Sequence, residues 1–242
     1  MSSTPRRILF GGSDPEFLQC AAEQIAGLVA DRVNLAAAQK RLKEHLRAHG
    51  YQPSDGDLDT LNDFSGDERL ALVLQTNFWL ERGYRRWIKN QDALVLQRWP
   101  AQEVVSFSHK ESHEDQWALA GGMLFKGRMI ALMNDPVWEN LSPFGLPYEP
   151  FALDGTLRAR GVLRQDWARL NPPQADLTPQ PQDRRFIQDL EQAAARCEDL
   201  LRELLPSAEQ GDPLDLSRSA DASFSSADLR PVTSSEGTMN QP

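Results

Sequence analysis

Two histidines placed one helical turn apart have the best spacing in this sequence for metal chemistry. His109 and His113 would face the same side of a helix, and imidazole is a common zinc ligand. Carboxylates available in the same segment are Glu111, Glu114 and Asp115. A zinc site of the metalloprotease type, however, requires a glutamate directly after the first histidine, and Lys110 stands there. A third ligand would also have to come from elsewhere, so the pattern favours a polar surface segment over a metal site.

Other signatures of catalysis or cofactor binding are incomplete. The pair Gly121-Gly122 lacks the glycine spacing and the following lysine of a phosphate-binding loop, and no Gly-x-Ser-x-Gly elbow occurs. The acidic segment from residue 52 to 57 lacks the alternating carboxylates and closing glutamate of a calcium loop. Cys20 and Cys197 each stand alone, which does not fit a zinc-finger spacing. From these residues we expect no enzyme activity, no metal and no cofactor.

Four cations form a basic stripe on one predicted helix: Arg82, Arg85, Arg86 and Lys89. Their spacing places them on one arc of that helix. Such runs usually mark a solvated surface, and the sharper interpretation is a contact with DNA phosphates or with an acidic partner. If all four neutralised phosphates, log affinity would fall against log salt with a slope of about −3.6. The net charge of −9 opposes extensive coating of nucleic acid, so such a contact would have to be local.

The basic stripe lies on a long amphipathic helix that the sequence predicts from Ser65 to Ile88. Ser65 is expected to be its N-cap, and Glu68 to complete a capping box. Almost opposite the cations, side chains at 3.6-residue spacing predict a buried face. This face comprises Leu70, Val73, Asn77, Leu80, Tyr84, Trp87 and Ile88.

Two shorter helices are predicted before the long one. Ser13 begins a capping-box pattern ahead of apolar residues spaced helically up to Val29. A second amphipathic helix is predicted from Asn34 to a stop at Gly50. Their apolar stripes indicate a helical hairpin with a packed core, and the Pro-, Gly- and Asp-rich residues 52–66 indicate a linker.

Strand signals appear after the long helix. Residues 103–108 and 127–133 have the β-branched, aromatic or apolar pattern of strands and could pair into a small antiparallel sheet. Asp135 is a good N-cap with Pro136 at the first helical position. We therefore expect one or two helical turns that carry Trp138.

The C-terminal part of the sequence mixes loop, helix and polar segments. Residues 142–151 alternate proline with aromatic rings, which predicts an irregular loop fixed to the core by those rings. Residues 166–170 favour a helical turn, and 183–205 favour a helix. Its apolar stripe comprises Phe186, Ile187, Leu190, Ala194, Cys197, Leu201 and Leu204. From residue 206 onward the serine-rich, acidic composition is typical of disorder.

These elements predict an α+β fold that is predominantly helical. It would consist of an N-terminal helical hairpin, the long amphipathic helix with a small antiparallel sheet, a C-terminal helix and a disordered tail. The predicted organisation is an N-terminal helical region and acidic linker (1–63), a central core (64–151), a C-terminal extension with a helix (152–205) and an acidic Ser-rich tail (206–242).

A series of short motifs follows in order through the central core. The positions concerned are Thr76, Asn77, His113, Gly122, Asp135, Pro136, Trp138 and Pro147. Their order and spacing resemble the phage Mu F-like minor head protein family, also called head morphogenesis proteins. In that family a helix with a Thr-Asn pair precedes a small strand unit, then a His, a Gly, an Asp-Pro-aromatic step and a proline-rich loop. The resemblance covers about a third of the chain.

The resemblance implies a low-copy capsid component that acts near the portal in head morphogenesis, DNA packaging or ejection, without catalysis. Its partners would be the portal and other capsid proteins, with packaged DNA a further partner through the basic stripe. The implied location is the virion head, reached by assembly in the host cytoplasm. No apolar run approaches the ~18 residues that span a bilayer, so no membrane partner is expected.

One part of the sequence departs from that family. Many members end the domain with Asn-Cys-Arg-Cys, whereas residues 146–151 here contain no cysteine. A role that depends on those cysteines is therefore not implied for this chain. A second interpretation stays open: an acidic protein with helical stripes could be a helical adaptor or an assembly chaperone that is not retained in the virion.

Overall fold

The computed structural model describes residues 15–53, 63–106, 113–151, 157–170, 178–194 and 196. Within these ranges the chain forms eight helices and four strands. In chain order they are α1 (Pro15–Val29), α2 (Leu35–Ala48), α3 (Asp67–Asn90), α4 (Ala93–Arg98), β1 (Ala101–Ser106), α5 (Glu114–Leu119), β2 (Leu124–Phe125), β3 (Arg128–Leu132), α6 (Val137–Leu141), β4 (Leu157–Val162), α7 (Arg164–Arg169) and α8 (186–194). The predicted α+β, mainly helical fold is confirmed.

The strands form one antiparallel sheet in the order β2-β3-β1-β4. The predicted pairing of the two strand segments is confirmed, since Glu103 of β1 stands opposite Ile130 of β3. The strand bounds differ slightly: β1 starts at Ala101, two residues before the predicted segment, and residues 107–108 lie outside the described part. The sequence reasoning missed β2 and β4. The latter strand pairs along the whole of β1.

Each face of the sheet has a different chemistry. One face carries Val104 and Ala159, which pack with the rings of Trp117, Trp138 and Phe151 in a common core. The other face is apolar at one end, where Ala101, Ile130 and Val162 pack under Trp167 of α7. Further along that second face the side chains are charged, because β1 and β4 place Glu103 directly opposite Arg160.

The N-terminal helices form the predicted hairpin with a packed core, and this hairpin also packs on α3. Residues that join the three helices in one core include Phe17, Ile25, Leu42, Val73 and Phe78. Asn34 caps α2 as expected, because its Oδ1 accepts a hydrogen bond from the N–H of Ala37 at 2.8 Å. Gly50 follows the helix with φ +75°, the left-handed geometry that glycine supplies at a helix end. The predicted cap Ser13 lies outside the described residues.

The long helix α3 is buried on more sides than the predicted stripe suggested. Leu70 and Leu74 face the N-terminal hairpin, whereas Leu80 and Trp87 belong to a second core built with the loop 142–151 and α8. Ile88 was wrongly included in the buried face, since 40% of its surface is exposed. Two cores on one helix explain why a single stripe does not describe it.

The start of α3 also differs from the prediction. The N-cap is Gly66, without a side-chain cap, and the helix begins at Asp67. Ser65 instead donates its hydroxyl hydrogen bond to Asp63 Oδ1 at 2.7 Å, and its N–H bonds the same oxygen. Asp63 thus forms a local turn that takes the place of the expected capping box.

The loop 142–151 is fixed by its aromatic side chains, as expected. Phe144, Tyr148 and Phe151 are all buried. The peptide bond between Glu149 and Pro150 is cis. Just before this loop, α6 begins at Val137 with Pro136 as its N-cap, one residue later than predicted. The carboxylate of Asp135 accepts a hydrogen bond from the N–H of Val137 at 2.9 Å.

Helix α8 packs against α3 through part of its predicted stripe. Phe186 stacks on Tyr84 with ring centroids 4.7 Å apart, and Leu190 is buried in the same core. Ile187 is a correction to that stripe, since 56% of its surface is exposed. The remaining stripe residues, from Cys197 on, the tail 206–242 and most of the expected linker, 54–62, lie outside the described residues. No helix in the described part combines the length and apolarity needed to cross a membrane.

Candidate partner-contact surface

The basic stripe of α3 is largely engaged in contacts within the chain. Arg85 pairs with Glu81 one turn earlier, with 2.6 Å between Nη2 and Oε1. Arg86 pairs with Glu149 of the loop, with 2.5 Å between Nη2 and Oε1. These two guanidinium side chains remain 63% and 50% exposed. They can still meet a partner, but each already has a carboxylate.

The other two stripe residues differ from this pair. Arg82 lies near two rings of its own helix, 5.7 Å from the centroid of Phe78 and 5.6 Å from that of Trp79. Such cation–π contacts position a guanidinium without removing its charge. Lys89 is exposed, and among the described residues neither it nor Arg82 forms an ion pair. The four cations of the stripe therefore differ in their contacts: two form ion pairs within the chain and one lies against aromatic rings. Their spacing in the sequence does not show this difference.

Glu149 joins three elements beside this stripe. Its Oε1 accepts a hydrogen bond from the N–H of Ala159 on β4 at 2.8 Å, while Arg86 of α3 pairs with the same carboxylate. The backbone of the loop also approaches α3 closely, because a Cβ at Gly83 would overlap the carbonyl oxygen of Glu149. The helix, the loop and the outer strand are held together at this point.

The charged face of the sheet contains a second carboxylate between arginines. Glu103 is buried, and Arg128 of β3 bonds both of its oxygens at 2.7 and 2.8 Å. Arg160 of β4 bonds Oε2 at 2.7 Å. The pKa of Glu103 is lowered chiefly by the hydrogen bonds from Arg128, against the opposing effect of burial, with Arg160 adding to the lowering. One ionised carboxylate thus orients two guanidinium groups.

A further arginine of β4 connects the sheet to α3. The guanidinium of Arg158 lies 3.8 Å from the ring centroid of Trp79, the indole that Arg82 also approaches. The sequence reasoning missed the arginines of the sheet. The available signal was the alternation Leu157-Arg158-Ala159-Arg160, the period of a strand with one apolar and one charged face.

Glu103 should make the stability of the fold depend on acid pH. Because its pKa is lowered on folding, its contribution is fully present above the pKa of an unfolded glutamate, about 4.3, and is lost as the pH falls through the folded value. We expect Glu103→Gln to cost about 1–2 kcal/mol at neutral pH and to flatten the decline in stability below about pH 4.3.

Urea unfolding over a series of pH values measures this effect. Glu44→Gln is the matched control, because Glu44 is 61% exposed and lies 4.0 Å from Lys40 in a surface pair. Its profile should follow that of the wild type. Parallel profiles for Glu103→Gln and the wild type would contradict the prediction.

The family-like motif positions of α3 are buried inside the helix packing. Thr76 and Asn77 are each 3% exposed. Asn77 donates a side-chain hydrogen bond to the carbonyl oxygen of Val73 at 2.9 Å, one turn earlier. Neither side chain is accessible to a macromolecular partner in this conformation.

The later motif positions converge on a tryptophan cluster. Trp138 is fully buried, and its ring lies 5.3 Å from that of Trp117 and 5.4 Å from that of Phe151. Its indole N–H donates to the carbonyl oxygen of Leu132 at 2.7 Å. Gly122 lies so close to Trp117 that an added Cβ would overlap the indole. These positions, with Pro136 at the start of α6, build a core and leave no reactive group exposed there.

His113 is buried at the start of α5. It is 7% exposed, occupies the N-cap position of α5, and its Nδ1 lies 3.2 Å from Gln116 Oε1. Its predicted partner His109 and the carboxylate of Glu111 lie outside the described residues. Among the residues that the structure does describe, no group of three His, Cys, Asp or Glu side chains could hold a metal ion.

Two cavities of the described part are smaller than an ordinary small-molecule site. One of about 10 Å³, lined by Trp87 and Glu149 among others, has room for about one water. Another of about 240 Å³ lies between α2 and the start of α3, where Lys43 and Asp67 form an ion pair at 2.8 Å. Ordinary ligand sites measure about 300–1,000 Å³ and are mainly apolar.

The fold and these surfaces describe a mainly helical α+β protein with arginines held on its surface by carboxylates and aromatic rings. Comparison with protein-family models, with curated proteins and with solved structures found no match.

Proposed function

We propose that the chain is a minor head protein of a tailed phage or prophage. It would be a low-copy component that acts near the portal in head morphogenesis, DNA packaging or ejection. The proposal rests on the ordered motifs between Thr76 and Pro147 and on their resemblance to the Mu F-like family. Its partners would be the portal and other capsid proteins, and its place the virion head after assembly in the host cytoplasm.

The observation that carries the proposal is the location of those motifs in the core. Gly122 and Trp138 both pack on Trp117, and Asp135 accepts a hydrogen bond from the first residue of the helix that bears Trp138. Residues of this kind specify a shape, whereas catalytic motifs place reactive groups in a cleft. Motif residues that shape the core, and do not react, are what we expect in a protein whose role is to occupy a fixed place in a larger assembly. We accordingly propose a structural role without enzyme activity.

Mass spectrometry of purified particles tests this proposal. The chain should stay with mature, DNA-filled heads after nuclease treatment and gradient purification, in far fewer copies than the major capsid protein. Its level relative to the portal protein gives the copy number. The portal protein itself is the positive control for a retained low-copy component.

The alternative role as an adaptor or assembly chaperone predicts a different distribution. A chaperone would associate with immature heads and be absent from mature particles. Loss of the chain from mature particles, with the portal retained, would overturn the minor head assignment.

A further inference from the structure

We propose that His49 is a proton-controlled clasp between the two helices of the N-terminal hairpin. Its imidazole joins the end of α2 to the first turn of α1, and both bonds form together only when the ring carries two protons. The open end of the hairpin should therefore be fastened at about pH 6 and loosened at about pH 8. The inference concerns a response of the fold itself and does not depend on the proposed role in the virion.

Both ring nitrogens of His49 face hydrogen-bond acceptors. Nδ1 lies 2.8 Å from the carbonyl oxygen of His45, one turn earlier in α2. Nε2 lies 2.8 Å from Oε2 of Glu16 in α1. Neither a carbonyl oxygen nor an ionised carboxylate can donate a hydrogen bond, so each nitrogen must carry a hydrogen for both bonds to exist. An imidazole with two N–H groups is the imidazolium cation.

The positions of the two partners at helix ends favour the charged form. His49 is the C-cap of α2, where the last carbonyl oxygens have no partner within the helix and a positive charge is stabilised by the helix dipole. Glu16 stands in the first turn of α1, where the opposite end of a helix dipole stabilises a negative charge. One ion pair thus complements the ends of two antiparallel helices.

Other titratable and charged groups lie on the elements around this contact. The ring of His45 stacks on that of His49, with centroids 4.1 Å apart, so a charge on both rings would be repulsive. Within the described part of the chain, the buried Nε2 of His45 has no hydrogen-bond partner. Arg47 is exposed, and on α3, which also packs on α2, Asp67 is engaged by Lys43 at 2.8 Å. His49 is thus the group whose protonation decides the contact.

Loss of one proton from His49 breaks the clasp in part. A neutral imidazole has a single N–H, so it keeps either the bond to the α2 carbonyl or the bond to Glu16, and the charge attraction disappears. The side chains of His49 and Glu16 are 44% and 72% exposed, so the effect is that of a surface ion pair. We expect fraying of the start of α1, next to the buried ring of Phe17, and no global unfolding.

Nuclear magnetic resonance titration of the histidine rings in the full chain tests the proposal. The titration midpoint of His49 should lie about 0.2–0.7 pH unit higher in the wild type than in Glu16→Gln, which removes the carboxylate charge. This difference should shrink in 1 M salt, at which the Debye length is about 3 Å. Equal midpoints in the wild type and Glu16→Gln at low salt would overturn the proposal.

Glu23→Gln is the matched control. Glu23 is also an exposed glutamate of α1, but it accepts a hydrogen bond from Gln19. The His49 midpoint in this variant should stay near the wild-type value. A shift as large as that of Glu16→Gln would mean that His49 responds to the general charge of α1, and the specific clasp would be refuted.

Amide hydrogen exchange measures the loosening of the helix directly. Protection factors in the second turn of α1 should fall about two- to fivefold between pH 6 and pH 8 in the wild type, the range expected for an exposed ion pair. His49→Gln removes the titrating ring, so its protection factors should be low at both pH values. A wild-type protein with constant protection, or a His49→Gln protein with the wild-type pH dependence, would show that His49 does not fasten the hairpin.

Discussion

Trp138→Ala should destabilise the protein more than any other single truncation in the tryptophan cluster, by about 3–5 kcal/mol. Trp138 is fully buried, and its ring packs between Trp117 and Phe151. Removing the ring leaves a large cavity in the core below the sheet. It also removes the donor to the carbonyl oxygen of Leu132. Equilibrium unfolding in urea, followed by circular dichroism, measures the loss.

Two variants separate the causes of this effect. Trp138→Phe keeps most of the packing and loses the indole N–H, so we expect roughly half the cost of the alanine variant. Leu119→Ala removes an apolar side chain that is 89% exposed, and it should change stability by less than about 0.5 kcal/mol. A Trp138→Ala protein as stable as Leu119→Ala would refute the assignment of Trp138 to the core.

The same variants bear on the proposed role in the virion. If the cluster around Trp138 specifies a shape that the capsid recognises, Trp138→Ala should also reduce incorporation into heads, in proportion to its loss of folded protein. Leu119→Ala should be incorporated normally. Loss of incorporation at unchanged stability would instead indicate that this region touches a partner directly.

Local patterns predicted the helices of this fold well. The hairpin, the long helix and the turn that bears Trp138 each had an apolar period or a capping residue, and those signals depend only on near neighbours in sequence. The predicted N-cap of α3, Ser65, lies one residue before the observed one, because Ser65 forms hydrogen bonds to Asp63 in a local turn. That competition between two hydrogen-bond acceptors is not visible in the spacing of Ser65 and Glu68.

The contacts of the arginines could not be predicted in the same way. Arg86 pairs with Glu149, and Glu103 pairs with Arg160. The residues of each pair are more than fifty positions apart in the sequence, and only the folded sheet and loop bring them together. The strand β4 was missed although its alternation was present, because a six-residue segment with two arginines and a glycine has weak strand propensity. Its pairing with β1 supplies the stability that the segment lacks alone.

Burial of α3 was underpredicted for a related reason. A 3.6-residue period identifies one buried face, but α3 contacts the hairpin on one side and α8 with the loop on the other. Polar residues outside the predicted face, such as Gln75 and Thr76, are therefore also buried. Their positions look solvent-facing only when a single partner surface is assumed.

Gly83→Ala should also destabilise the protein strongly, by about 3 kcal/mol, although alanine is the better helix former. Gly83 lies within α3, where replacing an exposed glycine would gain about 1 kcal/mol. Here an added Cβ would overlap the carbonyl oxygen of Glu149 and lie 3.2 Å from Cδ2 of Tyr148. The overlap is with backbone, so a change of side-chain rotamer cannot relieve it. The loop has to move away from the helix.

That movement would disturb every contact that the loop makes. Tyr148 donates its hydroxyl to Asp189 at 2.9 Å, and Glu149 bonds Ala159 of β4. Burial and the negative charge of Asp189 raise the pKa of Tyr148, so its hydroxyl remains a donor. Displacement of the loop would therefore loosen the outer strand and α8 together, which hydrogen exchange would detect as faster exchange of the β4 amides.

Gly50→Ala distinguishes this steric effect from the general cost of replacing glycine. Gly50 has φ +75°, and no atom lies within 4 Å of its added Cβ, so only the left-handed conformation is penalised, by about 1–2 kcal/mol. Its β4 amides should exchange as in the wild type. If Gly83→Ala were instead as stable as the wild type, helix propensity would outweigh the contact, and the close approach of α3 to the loop at Glu149 would be wrong.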